Sequence, residues 1–122
     1  MERYLDILLE RAAMVENWRR YVIKIYDAAK SILPDACVYV FGSVVMGEAT
    51  GGSDVDILVV SKSMPRNGLE RMRVRIEIEK AANLPLHHPF EFHLVNEEEA
   101  KWYFERVSEL QDVSSIVKSS NQ

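Results

Sequence analysis

The chain has 122 residues, of which 48% are apolar and 28% charged, and it contains one cysteine. These proportions predict a single domain over residues 1–122, with a core large enough to fold without disulfides or a structural metal. The net charge of −4 argues against a nucleic-acid module that neutralises many phosphates. No segment approaches the roughly 20 apolar residues of a membrane span, and the first residues contain no signal-peptide core. A cytosolic protein is therefore expected.

The first quarter of the chain has helical periodicity. Apolar residues recur at steps of three and four from Glu2 to about Ile32, which predicts one long helix or two shorter ones. Pro34 ends this pattern, because the residue before a proline avoids the helical conformation.

Three segments have the composition of strands. Cys37–Phe41 is β-branched and aromatic, which predicts a buried strand and makes Cys37 a core residue. A loop follows over Gly47–Ser53. The second strand is predicted over Asp54–Val60 and the third over Pro89–Val95.

The segment 70–82 carries conflicting signals. Its apolar residues alternate with period two, as in a half-buried strand, yet Asn67 and Glu70 have the spacing of a helix cap. We predict a helix there. A further helix is predicted to start at Asn96. The serine-rich tail 114–122 is expected to fray.

Two aspartates enter the second predicted strand. Asp54 and Asp56 lie two residues apart, so their carboxylates are expected on the same face. Two like charges about 5 Å apart cost about 3 kcal/mol at an effective dielectric of 20. A divalent cation, Mg²⁺ or Mn²⁺, is the counter-charge that carboxylate oxygens favour.

A glycine and a serine follow the first predicted strand. Gly42 allows the backbone to approach a ligand closely, and the next backbone N–H groups, with the Ser43 hydroxyl, can hold phosphate oxygens. Taken alone, Gly42-Ser43 is an ordinary turn, and Ser53-Asp54 is an ordinary cap. Together with the aspartate pair, they predict a nucleotide site.

The block from Phe41 to Ile57 resembles the signature of the DNA polymerase β-like nucleotidyltransferases, and above all that of the minimal nucleotidyltransferases of bacteria and archaea. In this family Gly-Ser precedes an Asp-x-Asp on the next strand. The matching residues are Gly42, Ser43, Gly47, Ser53, Asp54 and Asp56.

The resemblance implies an α/β (α+β) fold, with a small mixed sheet and helices packed mainly on one face. It implies metal-dependent transfer of AMP from ATP, with two Mg²⁺ ions held by Asp54, Asp56 and a third acid, which Glu91 supplies by position. A solvated surface role for Glu91 is the alternative. Many relatives carry arginines where this chain has Val44 and Met46.

The resemblance also implies roles for the remaining residues and a partner. Gly42, Ser43, Gly47 and Ser53 would bind the nucleotide. A separately encoded helical protein of the HEPN type, often a toxin, would complete the site and accept AMP. The alternative is a catalytically weak binding module that acts as an antitoxin by occupancy. The sequence leaves open the acceptor, the nucleotide preference and self-association.

Histidines, arginines and aromatic residues outside the motif have ordinary explanations. A zinc site is disfavoured because it needs further cysteine or histidine ligands. His93 shares a strand face with Glu91 and is a candidate neighbour of the site, although packing is the alternative. The arginines are expected on a mixed-charge face rather than an anion-binding patch, and the large aromatic residues are expected mostly in the core. These residues are His87, His88, His93, Arg71, Arg73, Arg75, Trp18, Tyr21, Trp102 and Tyr103.

Overall fold

A computed structural model describes residues 2–120, which form six helices and four strands. In chain order the elements are α1 (Glu2–Glu16), α2 (Trp18–Ile32), β1 (Cys37–Phe41), α3 (Ser43–Met46), β2 (Val55–Val60), α4 (Gly68–Ala81), β3 (Phe90–Val95), α5 (Glu97–Arg106), β4 (Gln111–Asp112) and α6 (Val113–Ser120). Among these residues, no helix combines the length and the apolar composition needed to cross a membrane.

The predicted N-terminal helical segment consists of two helices that meet at Asn17. The Asn17 side chain donates to the Ala13 carbonyl at 2.8 Å, so it competes with the backbone for a helical acceptor at the junction. The second helix carries the stronger apolar stripe. Its buried residues are Trp18, Val22, Ile25, Ala28 and Ala29.

The four strands form one mixed sheet in the order β3-β2-β1-β4. Strands β2 and β3 are parallel, with Asp56 opposite Glu91. Strands β1 and β2 are antiparallel, with Phe41 opposite Asp56. Because directly paired residues project to the same face, Phe41, Asp56 and Glu91 lie side by side across three strands.

The sheet has two unequal cores. Helices α2, α4 and α6 contribute to the larger core on one face, and α5 covers part of the other face. The smaller core consists of Leu58, Val60, Val95 and Ala100, with Tyr39, Phe41, Tyr103 and Leu110 packed against it. This arrangement confirms the predicted α/β (α+β) class, with helices mainly on one face. It also leaves one end of the second face open around Asp56 and Glu91.

The ambiguous segment is helix α4, as predicted. The apolar residues of its period-two pattern fall on two sides of the helix. Val74 and Ile78 are one turn apart and buried, whereas Met72 and Ile76 are exposed. The Asn67 side chain accepts a hydrogen bond from the Glu70 backbone N–H at 2.8 Å. This N-cap satisfies a donor that would otherwise have no partner in the helix.

The prediction of a frayed tail from residue 114 is wrong for 114–120. That segment belongs to α6, which buries Val113 and Ile116 beneath the sheet, and it follows the short strand β4, which was not predicted. Residues 121 and 122 lie outside the described residues. Apolar burial therefore overrides the polar composition of this segment.

The prediction that Cys37 is a buried core residue is also wrong. Its thiol is exposed, because Cys37 begins β1 on the sheet face that α5 covers only in part. The alternating burial of β1 places Val38 and Val40 in the larger core instead.

Candidate functional site

Three side chains converge at the open end of the second sheet face. Oxygen atoms of Asp56 and Glu91 and a ring nitrogen of His93 all lie within 4.8 Å of one another. The parallel register brings Asp56 opposite Glu91, and the two-residue period puts His93 on the same face. The two carboxylates supply the oxygen ligands that Mg²⁺ and Mn²⁺ prefer, so they fit the metal that the sequence predicts, and the imidazole lies where it can orient them.

Gly42 brings the backbone against this cluster. It has a φ angle of +92°, which L side chains rarely adopt, and a Cβ atom at this position would lie 2.5 Å from Asp56 Oδ2. Two constraints therefore require glycine at this position: the backbone conformation and the close approach to the carboxylate.

Ser43 begins the single helical turn α3 beside that approach. The Gly42 carbonyl accepts the N–H groups of Val45 and Met46 at 3.1 and 3.2 Å, which fixes the turn. Within residues 2–120 the Ser43 hydroxyl has no hydrogen-bond partner. This half-buried hydroxyl is consequently available to a ligand at the end of β1.

The turn α3 contains Val44 and Met46 and ends at Gly47. Gly47 ends α3 in the left-handed conformation, with a φ angle of +74° and open space where a Cβ would lie. Val44 is buried in the larger core, whereas Met46 is 47% exposed. An arginine at position 44 would therefore displace a core side chain, while position 46 faces solvent.

Ser53 closes the loop that leads into β2. Its backbone N–H donates to the Thr50 carbonyl at 3.0 Å, and its hydroxyl accepts the Thr50 N–H at 2.9 Å. These bonds give Ser53 a role in fixing the backbone before Asp54. A direct contact between Ser53 and a nucleotide stays a prediction.

Asp54 lies apart from the three-residue cluster. Its Oδ1 accepts a hydrogen bond from Nη2 of Arg11 at 3.0 Å. Nη1 of the same arginine donates to the carbonyls of His87 and His88 at 2.7 and 2.9 Å. The structure therefore pairs Asp54 with a cation from α1, whereas Asp56 and Glu91 come together with His93.

Asp56 is oriented by a hydrogen-bonded chain from α5. His93 Nε2 lies 3.2 Å from Asp56 Oδ1, and His93 Nδ1 lies 3.2 Å from the Tyr103 hydroxyl. Burial raises the pKa of Tyr103 above its usual range, and the negative charges of Glu99, Asp56 and Glu91 add to this effect. The hydroxyl thus stays protonated and can donate to Nδ1, which leaves Nε2 to donate to Asp56.

The other two histidines hold the loop before β3 in place. His87 bonds to Glu10 of α1, and His88 bonds to Glu79 of α4. His88 also accepts the Phe90 N–H at 3.0 Å. These contacts give both histidines structural partners away from the metal-type cluster.

The three arginines of α4 pair with acids. Arg71 makes two hydrogen bonds to Glu99, at 3.1 and 2.8 Å, while Arg73 and Arg75 lie 3.9 and 3.7 Å from Glu70 and Glu79. The pairs agree with a mixed-charge face. Arg75 also lines a cleft of about 580 Å³ that contains Arg11, Asp54 and Glu91.

Two neighbours of the site were missed from the sequence. Arg11 lies 43 residues before Asp54, in a helix whose pattern marks no position as special. The sequence predicts only a packing role for Tyr103, although this residue lies on the helix that directly follows β3. The period-two spacing of Glu91 and His93 was the signal that found His93, and a helix predicted next to that strand could have suggested Tyr103.

Comparison with known proteins matches this chain to a family. The family model described as "Nucleotidyltransferase domain" matches residues 22–117. A crystal structure of a candidate nucleotidyltransferase has 28% sequence identity and a TM-score of 0.54, over 75% of this chain and 95% of that one. A candidate nucleotidyltransferase from Sulfolobus solfataricus has 22% identity and a TM-score of 0.52, over 87% and 85%, and this likeness concerns the fold alone. No sequence among the curated proteins matches significantly.

Proposed function

Because the chain belongs to the nucleotidyltransferase domain family, we propose that it transfers AMP from ATP to an acceptor hydroxyl with the help of two Mg²⁺ ions. The observation that carries the proposal is the meeting of Asp56, Glu91 and His93 beside the Gly42-Ser43 turn. Mn²⁺ has the same preference for these donors and is expected to substitute.

The carboxylates hold the ions in this proposal. Asp54 and Asp56 would hold the ions, and Glu91 would supply a further ligand to the ion on the acceptor side. Divalent ions in such a site lower the pKa of the attacking hydroxyl and neutralise charge that develops on the phosphates. His93 keeps the Asp56 carboxylate oriented through its bond at 3.2 Å, so less reorganisation is needed when the substrate binds.

The turn after β1 holds the phosphates. The Ser43 hydroxyl and the neighbouring backbone N–H groups orient the β- and γ-phosphates, and the lack of a Cβ at Gly42 lets them lie next to Asp56. The acceptor hydroxyl then loses its proton to solvent and its oxygen forms a bond to the α-phosphorus. The bond between that phosphorus and the departing pyrophosphate breaks. Positioning and electrostatics provide the catalysis, as is usual in phosphoryl chemistry.

Calorimetry of ATP binding tests the metal dependence. We expect ATP to bind in the presence of Mg²⁺ and not in excess chelator, because the triphosphate and the carboxylates repel each other without a bridging cation. Asp56→Asn should abolish the metal-dependent binding. Asp27→Asn, on the exposed side of α2, is the matched control and should bind like the wild type. Equal binding with and without metal would refute the proposal.

The acceptor is proposed to lie on a helical partner of the HEPN type. Support comes from α1, where Tyr4, Leu5, Leu8 and Leu9 are 42–65% exposed and offer apolar surface to another chain. Incubation of such a partner with this chain, ATP and Mg²⁺, followed by intact mass measurement, should show added AMP. A stable complex without a mass change would favour the second candidate, a binding module that neutralises its partner by occupancy.

A further inference from the structure

Helix α1 precedes the residues that the family model matches, and it reaches the candidate site. The match to the family model begins at residue 22, whereas Arg11 lies in α1 and bonds to Asp54. The guanidinium also donates to two backbone carbonyls in the loop that precedes β3. A side chain from outside the matched region thus contacts the first aspartate of the motif.

The contacts of α1 are concentrated in its second half. Met14 and Val15 are buried, whereas Leu5, Leu8 and Leu9 are largely exposed. The middle of the helix is held by polar contacts, namely the Arg11 bonds and the bond between Glu10 and His87. The bond from Arg11 to Asp54 is therefore one of the polar contacts that fasten α1 to the site.

The Arg11 guanidinium lies where it can act as the counter-ion of the Asp54 carboxylate. Two carbonyls fix Nη1, and Nη2 then faces Asp54 Oδ1 at 3.0 Å. While it keeps this bond, Asp54 lies outside the group formed by Asp56, Glu91 and His93. A fixed guanidinium and a divalent cation on one carboxylate repel each other, so the two compete for Asp54.

We propose that Arg11 is a positioning residue that holds Asp54 as a counter-ion in the metal-free chain and that a divalent cation displaces it. This inference rests on the proposed function, because it takes Asp54 to be a metal ligand. Arg11 then sets the affinity of the site for metal. Metal binding also loosens α1, because it removes one of the polar contacts that hold the middle of the helix.

Titration of Mn²⁺ into the full chain tests the competition. Arg11→Gln should bind Mn²⁺ about three- to fivefold more tightly than the wild type, the range expected when one partly exposed ion pair no longer has to be broken. Arg20→Gln removes the same charge from an exposed position on α2 and should leave the affinity unchanged. In an Asp54→Asn background, Arg11→Gln should have no effect.

Hydrogen exchange of the wild-type chain gives a second readout that needs no variant. Amides of α1 should exchange faster with Mn²⁺ than without it, while those of β2 should not. Equal or weaker Mn²⁺ binding by Arg11→Gln, or unchanged exchange in α1 when Mn²⁺ is bound, overturns the inference and leaves the proposed function standing. If Mn²⁺ binds to neither chain, the metal centre itself is refuted, and the inference falls with it.

Discussion

Each aspartate of the Asp54-Asp56 pair has its own stabilising partner in the chain. Arg11 bonds to Asp54 at 3.0 Å, and His93 bonds to Asp56 at 3.2 Å. The sequence predicted that a repulsion of about 3 kcal/mol would need compensation. The structure shows that groups of the chain itself supply part of this compensation.

Glu91 is the acid whose replacement separates binding from transfer. Under the proposed function, Glu91→Gln should leave the fold and much of the ATP affinity intact, because Asp54 and Asp56 would still hold the ion on the triphosphate side. Transfer should fall by several orders of magnitude, since the acceptor-side ion loses a ligand that matters mostly in the transition state. Single-turnover kinetics measure the rate of transfer, and calorimetry measures the ATP affinity.

The matched control is Glu77→Gln, which removes an exposed acid from α4. It should transfer nucleotide at the wild-type rate. A Glu91→Gln variant that kept this rate as well would return Glu91 to the alternative that the sequence left open, a solvated surface acid.

Among the elements, α5 is tied to α4 by one carboxylate. Glu99 accepts two hydrogen bonds from Arg71 of α4, and it also accepts the Asn96 N–H at 2.9 Å in a capping box. Arg71 in turn donates to the Leu94 carbonyl of β3. This network holds the helix that carries Tyr103 and therefore supports the orientation of Asp56 indirectly.

The network predicts a pH dependence of stability. The hydrogen bonds from Arg71, followed by the bond from the Asn96 N–H, lower the pKa of Glu99 below 4.5 in the folded chain. A lowered carboxyl pKa stabilises the fold above the ordinary glutamate pKa, and this contribution is lost as the pH falls through the folded-state value. Glu99→Gln should therefore lower the free energy of unfolding by about 1 kcal/mol at pH 7 and by less at pH 3.

Urea denaturation at the two pH values measures this difference. Glu98→Gln is the control, because the Glu98 side chain is 81% exposed and pairs with Lys101 of its own helix at 2.9 Å. It should change the stability little at either pH. A Glu99→Gln effect of the same size at pH 3 and pH 7 would show that the carboxylate charge contributes nothing.

At the scale of the whole molecule, α6 completes the larger core. Val113 and Ile116 lie in the same cluster as Ile25 of α2 and Val40 of β1. Ile116→Ala should lower the free energy of unfolding by about 2–4 kcal/mol, because it leaves a cavity in that core. Ser115→Ala, at an exposed position of the same helix, should change it by less than about 0.5 kcal/mol. Equal effects in urea denaturation would mean that α6 does not stabilise the fold.

The sequence was informative where a local pattern determines the structure. Helical steps predicted α1 and α2, the cap residue Asn67 resolved the conflict in α4, and period-two spacing placed Glu91 beside His93. These features depend on neighbours within a few residues. The motif residues Gly42 and Asp56 were also recognisable, because their close approach demands particular residue types.

The remaining features depend on contacts that are distant in the chain. Arg11 pairs with Asp54 only because α1 lies beside the start of β2, and no local signal marks that placement. The exposure of Cys37 follows from how far α5 extends over the sheet. Helix α6 has a serine-rich composition, so only its burial against the sheet shows that Val113 and Ile116 are core residues.

The two glycines that bracket α3 should tolerate change differently in a saturation-mutagenesis library. Gly47 has a positive φ angle but open space around its missing side chain, so asparagine and aspartate, which accept this conformation, should survive selection there. At Gly42 every side chain meets Asp56 Oδ2 at the first carbon. Selection for nucleotide transfer should therefore leave glycine alone at position 42, and adaptation of this turn to another substrate would have to begin at a different residue.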